Sequence, residues 1–385
     1  MRIAFDGTTL RPGRTGVGYY SEHLLRHLVD TCEDDEIAVI SNRPIDTTMP
    51  LPRRVRVDAS GTWMPRALWM QMEAPRLLRR LRADVVHFTN GMLPAACPTP
   101  AVVTIHDMSL TIYPRFHPAR RILLNRPFVN LAARRADAII TVSDAARHDI
   151  LSLYGLDADR VHVVHEAAAP SFGVIHDLAR LRRVRERYGL SERFILSVGT
   201  IEPRKNLPML IDAFAHRRVS GELPHQLVCA GPYGWLSNDI EAQIDRLRVR
   251  DAVRLVGYVP FDDLPALYNL AEMLVFPSVY EGFGLPVIEA MACGTPVVTG
   301  PVAALNEVSG DAAELVRHLD VDSLGDAIVA LAANRERREE LSRLGLRRAH
   351  DFSWRRAAAA TADVYRLAVS HAVAARAAAP AALQS

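Results

Sequence analysis

The stretch Glu202-Pro203-Arg204-Lys205-Asn206 contains the only lysine of a 385-residue chain in which Lys and Arg together number 46. Arginine is a broad planar fork and lysine a compact point charge, so the two are not interchangeable at a tight phosphate site. Lys205 is therefore either a chance survivor of an arginine-biased composition or an ammonium that a site requires. A second stretch, V-Y-E-G-F-G-L-P-V-I-E-A-M-A-C-G-T-P-V-V over residues 279–298, bears on that choice. It reads as a strand over Met273–Phe276 ended by Pro277, a loop holding Glu281, Gly282, Phe283 and Gly284, and a helix from Leu285 to Cys293. Pro286 suits a first helical turn, Gly294 sits where a C-cap belongs, and Pro296 forbids continuation. Strand, glycine loop and helix N-terminus together are suited to binding an anion. Two carboxylates flank that point. Glu289, early in the helix, can be explained by the helix dipole alone, whereas Glu281 in its glycine frame is harder to explain as structure. Carboxylates accept hydroxyl hydrogen bonds in pairs. An anion cradle beside carboxylates suggests a ligand with both phosphates and hydroxyls, such as a nucleotide sugar.

Arg204 and Lys205 follow a strand over Phe194–Val198 that ends in Gly199-Thr200, with Asn206 as a plausible cap for a helix from Leu207. In a parallel sheet their loop and the Glu281 loop both lie at the carboxyl ends of strands. Two cations there can hold one diphosphate and stabilise the charge it gains on leaving, with no metal required. No metal-ligand cluster is expected. Asp34-Asp35 reads as a solvated turn, and Asp262-Asp263 as a helix start.

The elements that must carry these loops alternate from end to end. Short apolar runs over Arg2–Asp6, Glu36–Ser41, Val55–Asp58, Asp84–Thr89, Ala101–Ile105, Ala138–Val142 and Arg160–Val164 are interleaved with helical patterns over Tyr20–Val29, Leu68–Leu81 and Ala119–Ala136. The rhythm restarts with Phe194–Val198, Gln226–Ala230, Val253–Val256, Met273–Phe276 and Pro296–Thr299. Continuous rather than alternating apolar runs predict parallel strands covered on both faces, an α/β class. The restart follows A-A-A-P-S-F-G and precedes a helix over Asp177–Tyr188. Two doubly wound domains are expected, 1–170 and 171–370, their strand ends facing a common cleft. The final helix near 353–370 is expected to pack back on the first domain. The Ala-rich tail over 371–385 has no apolar period and is expected to be disordered.

Composition narrows the function further. A net charge of +2 argues against general nucleic-acid binding, and no apolar run approaches a membrane span. The N-terminus reads as a first strand rather than a signal peptide, so a cytoplasmic protein is expected. Cys32, Cys97, Cys229 and Cys293 lack CxxC spacing and read as structural thiols. Charge is locally uneven. Residues 53–82 carry eight arginines against Asp58 and Glu73, and residues 115–135 carry six arginines and no acid. Both stretches mix arginine with apolar bulk. They read equally as ordinary helices with a wet arginine face or as surfaces that dock on anionic lipid at the inner face of the membrane.

The second half resembles the family-4 (group 1) retaining glycosyltransferases of the two-Rossmann architecture called GT-B. E-G-F-G-L-P-V-I-E is similar to their E-x7-E motif at Glu281 and Glu289, and S-V-G-T-I-E-P-R-K-N to their R-K-N loop. Q-L-V-C-A-G-P-Y-G-W and V-G-Y-V-P-F-D-D-L-P-A-L-Y resemble two further blocks, in order and at matching spacing. The resemblance implies that Glu281 contacts donor-sugar hydroxyls, Glu289 the ribose, and Arg204 and Lys205 the diphosphate. It implies that backbone amides around Gly282, Phe283, Gly284 and Leu285 complete that site, while Gly231 and the loop after Gly257 line the nucleotide. In the first half, R-P-G-R-T-G-V-G-Y-Y-S resembles the family's glycine-rich first loop through Gly16 and Gly18, which an ordinary turn into a helix also explains. V-V-T-I-H-D-M-S-L resembles its strand-end histidine at His106, implied to donate a hydrogen bond near the donor sugar, with Asp107 orienting it. H-F-T-N, ending at Asn90, faces the acceptor on this reading. The pattern departs from the family at 300–313, where Gly300, Ala303, Ala304 and Asn306 replace hydroxyl residues and proline.

The expected activity is metal-independent retaining transfer of a hexose from a nucleoside-diphosphate sugar to a glycan or lipid-linked glycan. The resemblance is mannosyltransferase-like, so GDP-mannose is the first donor. The alternatives are a nucleotide-sugar epimerase of the same fold and a non-catalytic sugar-nucleotide binding protein. A glycoside hydrolase would not need the Arg204-Lys205 loop. A Rossmann dehydrogenase would need a clean G-x-G-x-x-G, which G-R-T-G-V-G is not.

Overall fold

The computed structural model describes residues 1–13, 16–48, 50–59, 64–237 and 239–378. The chain divides into two compact units. The first comprises Met1–Met108, Arg120–Glu166 and the segment from Ser353 onward; the second comprises Ser109–Ala119 and Ala167–Phe352.

The first unit holds a seven-stranded sheet of β1 (Arg2–Asp6), β2 (Glu36–Ser41), β3 (Arg56–Ala59), β4 (Val85–Phe88), β5 (Ala101–Thr104), β6 (Ala138–Thr141) and β7 (Val161–Val163). Its order is β3-β2-β1-β4-β5-β6-β7 and every pairing is parallel. The second unit holds β8 (Phe194–Val198), β9 (Gln226–Ala230), β10 (Val253–Gly257), β11 (Met273–Phe276), β12 (Val297–Thr299) and the short β13 (Glu314–Leu315). These run in the order β10-β9-β8-β11-β12-β13, again all parallel. Each sheet reverses its winding once, between β1 and β4 and between β8 and β11. Such switch points open a crevice at the carboxyl ends of the strands. The central strands are mostly apolar because both faces are covered: every residue of β4, β5, β6 and β11 is buried.

Two local expectations change, and one short strand is added. The pattern over Leu68–Leu81 is two helices, Arg66–Met72 and Ala74–Leu81, broken at Glu73 with Pro75 in the first turn of the second. The segment after Tyr188 obeys its pattern, but β13 is too short to have left an apolar signature. The last helix does not stop near 370. It runs from Trp354 to Ala378, so residues 371–378 of the expected disordered tail are helical, and 379–385 lie outside the described residues. This helix belongs to the first unit. Trp354 lies 5.5 Å from His23 in a stacked arrangement, and the fully buried Ala358, Ala362 and Ala368 leave space for close approach to the helix Gly16–Thr31. The helix Ala119–Arg135 continues through Pro127 despite the backbone hydrogen bond that a proline removes. All four cysteines are free, and burial pushes the thiols of Cys229 and Cys293 up to about 12. Among the described residues no helix is long and apolar enough to cross a membrane.

Candidate active site

The switch point of the second sheet gathers the residues that the sequence singles out. After β8 the chain makes a single 3-10 turn over Pro203–Lys205 and enters the helix Leu207–Val219 through Asn206. Asn206 occupies the N-cap position but does not cap with its side chain. It adopts a left-handed conformation, φ 56°, which asparagine tolerates better than most residues, and its amide reaches Met209 Sδ instead. That turn aims Arg204 and Lys205 at the loop after β11. Lys205 Nζ donates to Glu281 Oε1 at 2.6 Å, and Arg204 Nη1 donates to Glu281 Oε2 at 2.7 Å and to the Tyr280 carbonyl at 2.9 Å. The other edge of Arg204 donates from Nε and Nη2 to Glu202 Oε1 at 3.0 and 2.7 Å. Glu281 is thus not a solvated loop carboxylate; it is 8% exposed and bridges both cations. Burial pushes its carboxyl up, but Arg204 and Lys205 outweigh burial and hold it down to about 2. Burial also draws the Lys205 ammonium below its ordinary value, against the pull of Glu281.

Lys205 is closely fitted. Its ammonium lies 4.7 Å above the Phe276 ring, and its Cε is 3.4 Å from where a Cβ on Gly199 would stand. It lines a small cavity with Gly199, Thr200, Cys229 and Phe276. The glycines expected to line a nucleotide border the same place. Gly199 N donates to the Ala230 carbonyl at 2.9 Å, and Gly231 N to the Gly257 carbonyl at 2.8 Å, so the loops after β8, β9 and β10 are laced together. Trp235, from the same loop as Gly231, donates from Nε1 to the Phe116 carbonyl at 2.7 Å, which ties in the inserted segment Ser109–Ala119.

Beyond Glu281, the buried Gly282, Phe283 and Gly284 lead into the helix Leu285–Ala292. Gly284 adopts φ +109°, a conformation that favours glycine, and a Cβ there would press on Leu305 Cδ2 at 2.5 Å. Gly294 ends the helix as expected, with φ +74° and its N–H bonded to the Met291 carbonyl. Glu289 projects half-buried from this helix and accepts from the hydroxyl of the fully buried Tyr268 at 2.8 Å. Burial and the carboxylate raise the Tyr268 pKa well above its ordinary value, so that hydroxyl remains a donor. One departure from the family pattern has a packing reason: a Cβ on Gly300 would meet Leu319 Cδ1 at 2.8 Å.

In the first unit, Gly16 and the buried Gly18 open the helix Gly16–Thr31, while Asn90 and Asp107 are half-buried at the ends of β4 and β5. His106 follows β5. Its Nε2 faces the Thr89 carbonyl at 3.0 Å and its Nδ1 faces Glu166 Oε1 at 3.2 Å. Two acceptors on one ring require both nitrogens to carry hydrogens, which is the imidazolium. Burial lowers the pKa of His106, the Glu166 carboxylate outweighs burial, and the net shift is upward. Glu166 therefore orients the ring, and the charge of Asp107 adds to the upward shift. The Tyr20 ring stands edge-on to His106 at 4.6 Å. Behind it runs a buried chain in which the Tyr20 hydroxyl meets Thr104 Oγ1 at 2.9 Å, and His87 spans from Thr104 to the Tyr365 hydroxyl at 2.7 Å each. Burial holds the His87 pKa down to about 3, so this second histidine is neutral.

The sign of the pH dependence follows. A histidine whose folded pKa is raised stabilises the fold fully below its unfolded value, about 6.5, and the contribution disappears as pH rises through the folded pKa. Glu166→Gln is expected to lower the His106 pKa, because burial then acts with much less opposition. The measurement is an NMR titration of the His106 ring. An unchanged midpoint would show that Glu166 does not set the charge.

Sequence reading missed Glu202 and Glu166. Glu202 stands in the quoted E-P-R-K-N stretch, and only its bonds from the guanidinium reveal it as the second anchor of Arg204. Glu166 is 60 residues from its histidine, and no local pattern links them.

These two parallel sheets, with a cation pair and a glycine loop at one switch point, define a GT-B glycosyltransferase. Comparison with known proteins agrees. The profile of Glycosyl transferases group 1 matches residues 182–348, and that of Glycosyltransferase Family 4 matches residues 14–171. The O-antigen chain mannosyltransferase B of Escherichia coli is 32% identical, the match covering 95% of this chain and 100% of that protein. The MMP alpha-(1->4)-mannosyltransferase of Mycolicibacterium hassiacum is 31% identical over 96% of this chain and 99% of that protein. Among solved structures, a sucrose-phosphate synthase from Thermosynechococcus elongatus superposes with a TM-score of 0.75 at 21% identity, covering 96% of this chain and 99% of that one. Anabaena HepE in complex with UDP and glucose superposes with a TM-score of 0.72 at 20% identity, covering 94% and 99%. The chain belongs to glycosyltransferase family 4 and is a glycosyltransferase.

Proposed function

We propose that the enzyme moves a hexose, mannose first, from a nucleoside-diphosphate sugar to a hydroxyl of a glycan or lipid-linked glycan, with retention of anomeric configuration, in cell-envelope or exopolysaccharide synthesis. The observation that carries this reading is Glu281 bonded to Lys205 and Arg204 at once. A diphosphate arriving at the two cations competes with Glu281 for them. The carboxylate it frees is then placed to accept sugar hydroxyls, while the cations keep an anionic partner. As the bond from the anomeric carbon to the β-phosphate oxygen breaks, Arg204 and Lys205 stabilise the charge that develops there. The acceptor oxygen attacks the same face and its proton passes to the departing β-phosphate, so no protein base is required. Fixed charge at this point replaces the role a divalent cation can play, and activity is expected to persist in EDTA. The names of the two mannosyltransferase relatives favour mannose and, with it, GDP-mannose. His106, Asn90 and Asp107 serve the sugar and acceptor side, and Glu289 the ribose.

The test is a thermal-shift screen against GDP, UDP, ADP and dTDP and their sugars without metal. A rise in melting temperature with one nucleotide is expected, and no response to any of them would sink the reading. Incubation with the preferred donor alone separates transfer from epimerisation, since an epimerase converts the donor with no acceptor present.

Peripheral contact with the inner face of an anionic membrane is part of the same proposal. Leu123 and Leu124 are 75% and 53% exposed beside the exposed Arg120, Arg121 and Arg126. Leu68 and Met72 stand exposed in the other basic stretch, of which 60–63 lie outside the described residues. Co-sedimentation with anionic vesicles should fall when Arg120, Arg121 and Arg126 become glutamate.

A further inference from the structure

A second basic site stands in the first unit. β1, β2 and β3 are neighbouring parallel strands, so the segments leaving their carboxyl ends lie side by side. Each supplies one arginine: Arg11 from the loop after β1, Arg43 just beyond β2, and Arg66 as the first residue of the helix Arg66–Met72. Arg11 Nη2 donates to Asn42 Oδ1 at 2.8 Å, and the buried Asn42 is itself held by a bond from Nδ2 to the Met64 carbonyl at 3.1 Å. Arg66 Nη2 lies 3.3 Å from Oδ2 of the fully buried Asp6, whose Oδ1 accepts from the Thr8 N–H.

The platform beneath them is fixed. Gly7 N donates to the Ile40 carbonyl at 2.9 Å, and a Cβ on Gly7 would stand 2.5 Å from Val39 Cγ1, so the loop after β1 is pressed onto β2. Burial and then the neighbouring charges of Arg43 and Arg66 depress the Arg11 pKa, and Asp6 does not offset them. Three positive side chains thus leave adjacent strands at their carboxyl ends, the side of the sheet on which α/β folds bind ligands. Among the described residues, two polar atoms there have no hydrogen-bond partner: Arg66 Nε, and the hydroxyl of Thr8, a residue only 3% exposed. Guanidinium groups bind phosphate through paired N–H donors, and an anion would relieve their mutual repulsion.

We propose that Arg11, Arg43 and Arg66 bind a phosphate or diphosphate group carried by the acceptor. This rests on the transferase reading and narrows it: the acceptor is anionic, either a lipid-linked diphosphosugar or a soluble sugar phosphate. The donor diphosphate belongs to Arg204 and Lys205 in the other unit, so the two anion sites are separable by mutation.

The test is isothermal titration of the full chain with inorganic pyrophosphate in wild type, Arg43→Gln, Arg66→Gln and Lys205→Gln. Binding that survives Lys205→Gln and weakens tenfold or more in both arginine variants is expected. Loss of all pyrophosphate binding in Lys205→Gln, or unchanged binding in the arginine variants, would overturn the proposal. Arg43 is exposed, so its variant decides the matter if Arg66→Gln melts early. Nucleotide-induced thermal shifts in the same variants report on the transferase reading separately. Without any such shift that reading fails while the pyrophosphate result stands. Mannose 1-phosphate, an alkyl diphosphomannoside and a neutral alkyl mannoside then identify the source. Tighter binding of either phosphorylated probe supports the site and shows which acceptor it serves. Equal affinity for the neutral probe and both phosphorylated ones counts against it.

Discussion

Lys205→Arg is expected to lower turnover about a hundredfold while leaving the charge of the site unchanged. The argument is one of space. Lys205 is packed between Phe276, 4.7 Å from its ammonium, and the backbone at Gly199, where even a Cβ would lie 3.4 Å from its Cε. Its ammonium meets Glu281 at 2.6 Å while Arg204 holds the other oxygen of the same carboxylate. A guanidinium adds breadth between Phe276 and Glu281, so it displaces either Glu281 or the incoming phosphate. The loss should fall on kcat more than on donor KM, because the cation matters most once the diphosphate is leaving. Lys205→Met serves as the comparison, removing the charge without adding breadth. Steady-state kinetics with circular dichroism as a fold control reads the result. Wild-type turnover in Lys205→Arg would mean that only charge is needed, and that the sole lysine is an accident of composition.

The contrast between Lys205 and His106 shows what a sequence can carry. Strand limits such as Phe194–Val198 and Gln226–Ala230 were legible to the residue, because doubly covered parallel strands are written as continuous apolar runs. The gathering of Arg204, Lys205 and Glu281 was legible too, since each stands in a loop after such a strand in a local pattern of glycine, proline and charge. Pairings between segments were not. The bond of Glu166 to His106 and the approach of Arg11, Arg43 and Arg66 depend on which strands are neighbours, and the order β3-β2-β1-β4-β5-β6-β7 is not written in any one segment. Short or composite elements also escaped, as with the break at Glu73, where the apolar period continues across two helices. The tail misled for the opposite reason. Alanine is the best helix former but leaves no apolar stripe, so a real helix through Ala378 looked featureless.

Gly231→Ala should destabilise the protein by about 3 kcal/mol or more and abolish donor binding with it. Gly231 was singled out as a nucleotide-lining residue, yet its first duty is to the fold. A Cβ there would stand 2.0 Å from the Gly199 carbonyl oxygen and 2.6 Å from its carbon, which is backbone and cannot rotate away. Its φ of +152° adds strain for any other residue. The loops after β8 and β9 would have to part, breaking the bonds from Gly199 N to Ala230 and from Gly231 N to Gly257. The loop after β8 is the one that delivers Arg204 and Lys205, so a stability lesion here becomes a lesion in the cation pair. Gly257→Ala separates strain from collision. It has φ +69° but nothing within 4 Å of the added Cβ, and should cost only about 1 kcal/mol with donor binding retained. Urea denaturation of both variants, paired with nucleotide titration, makes the comparison. If Gly231→Ala unfolds at the wild-type midpoint, these loops can separate freely, and the position of Lys205 would then have to be set by its bond to Glu281 rather than by the backbone beneath it.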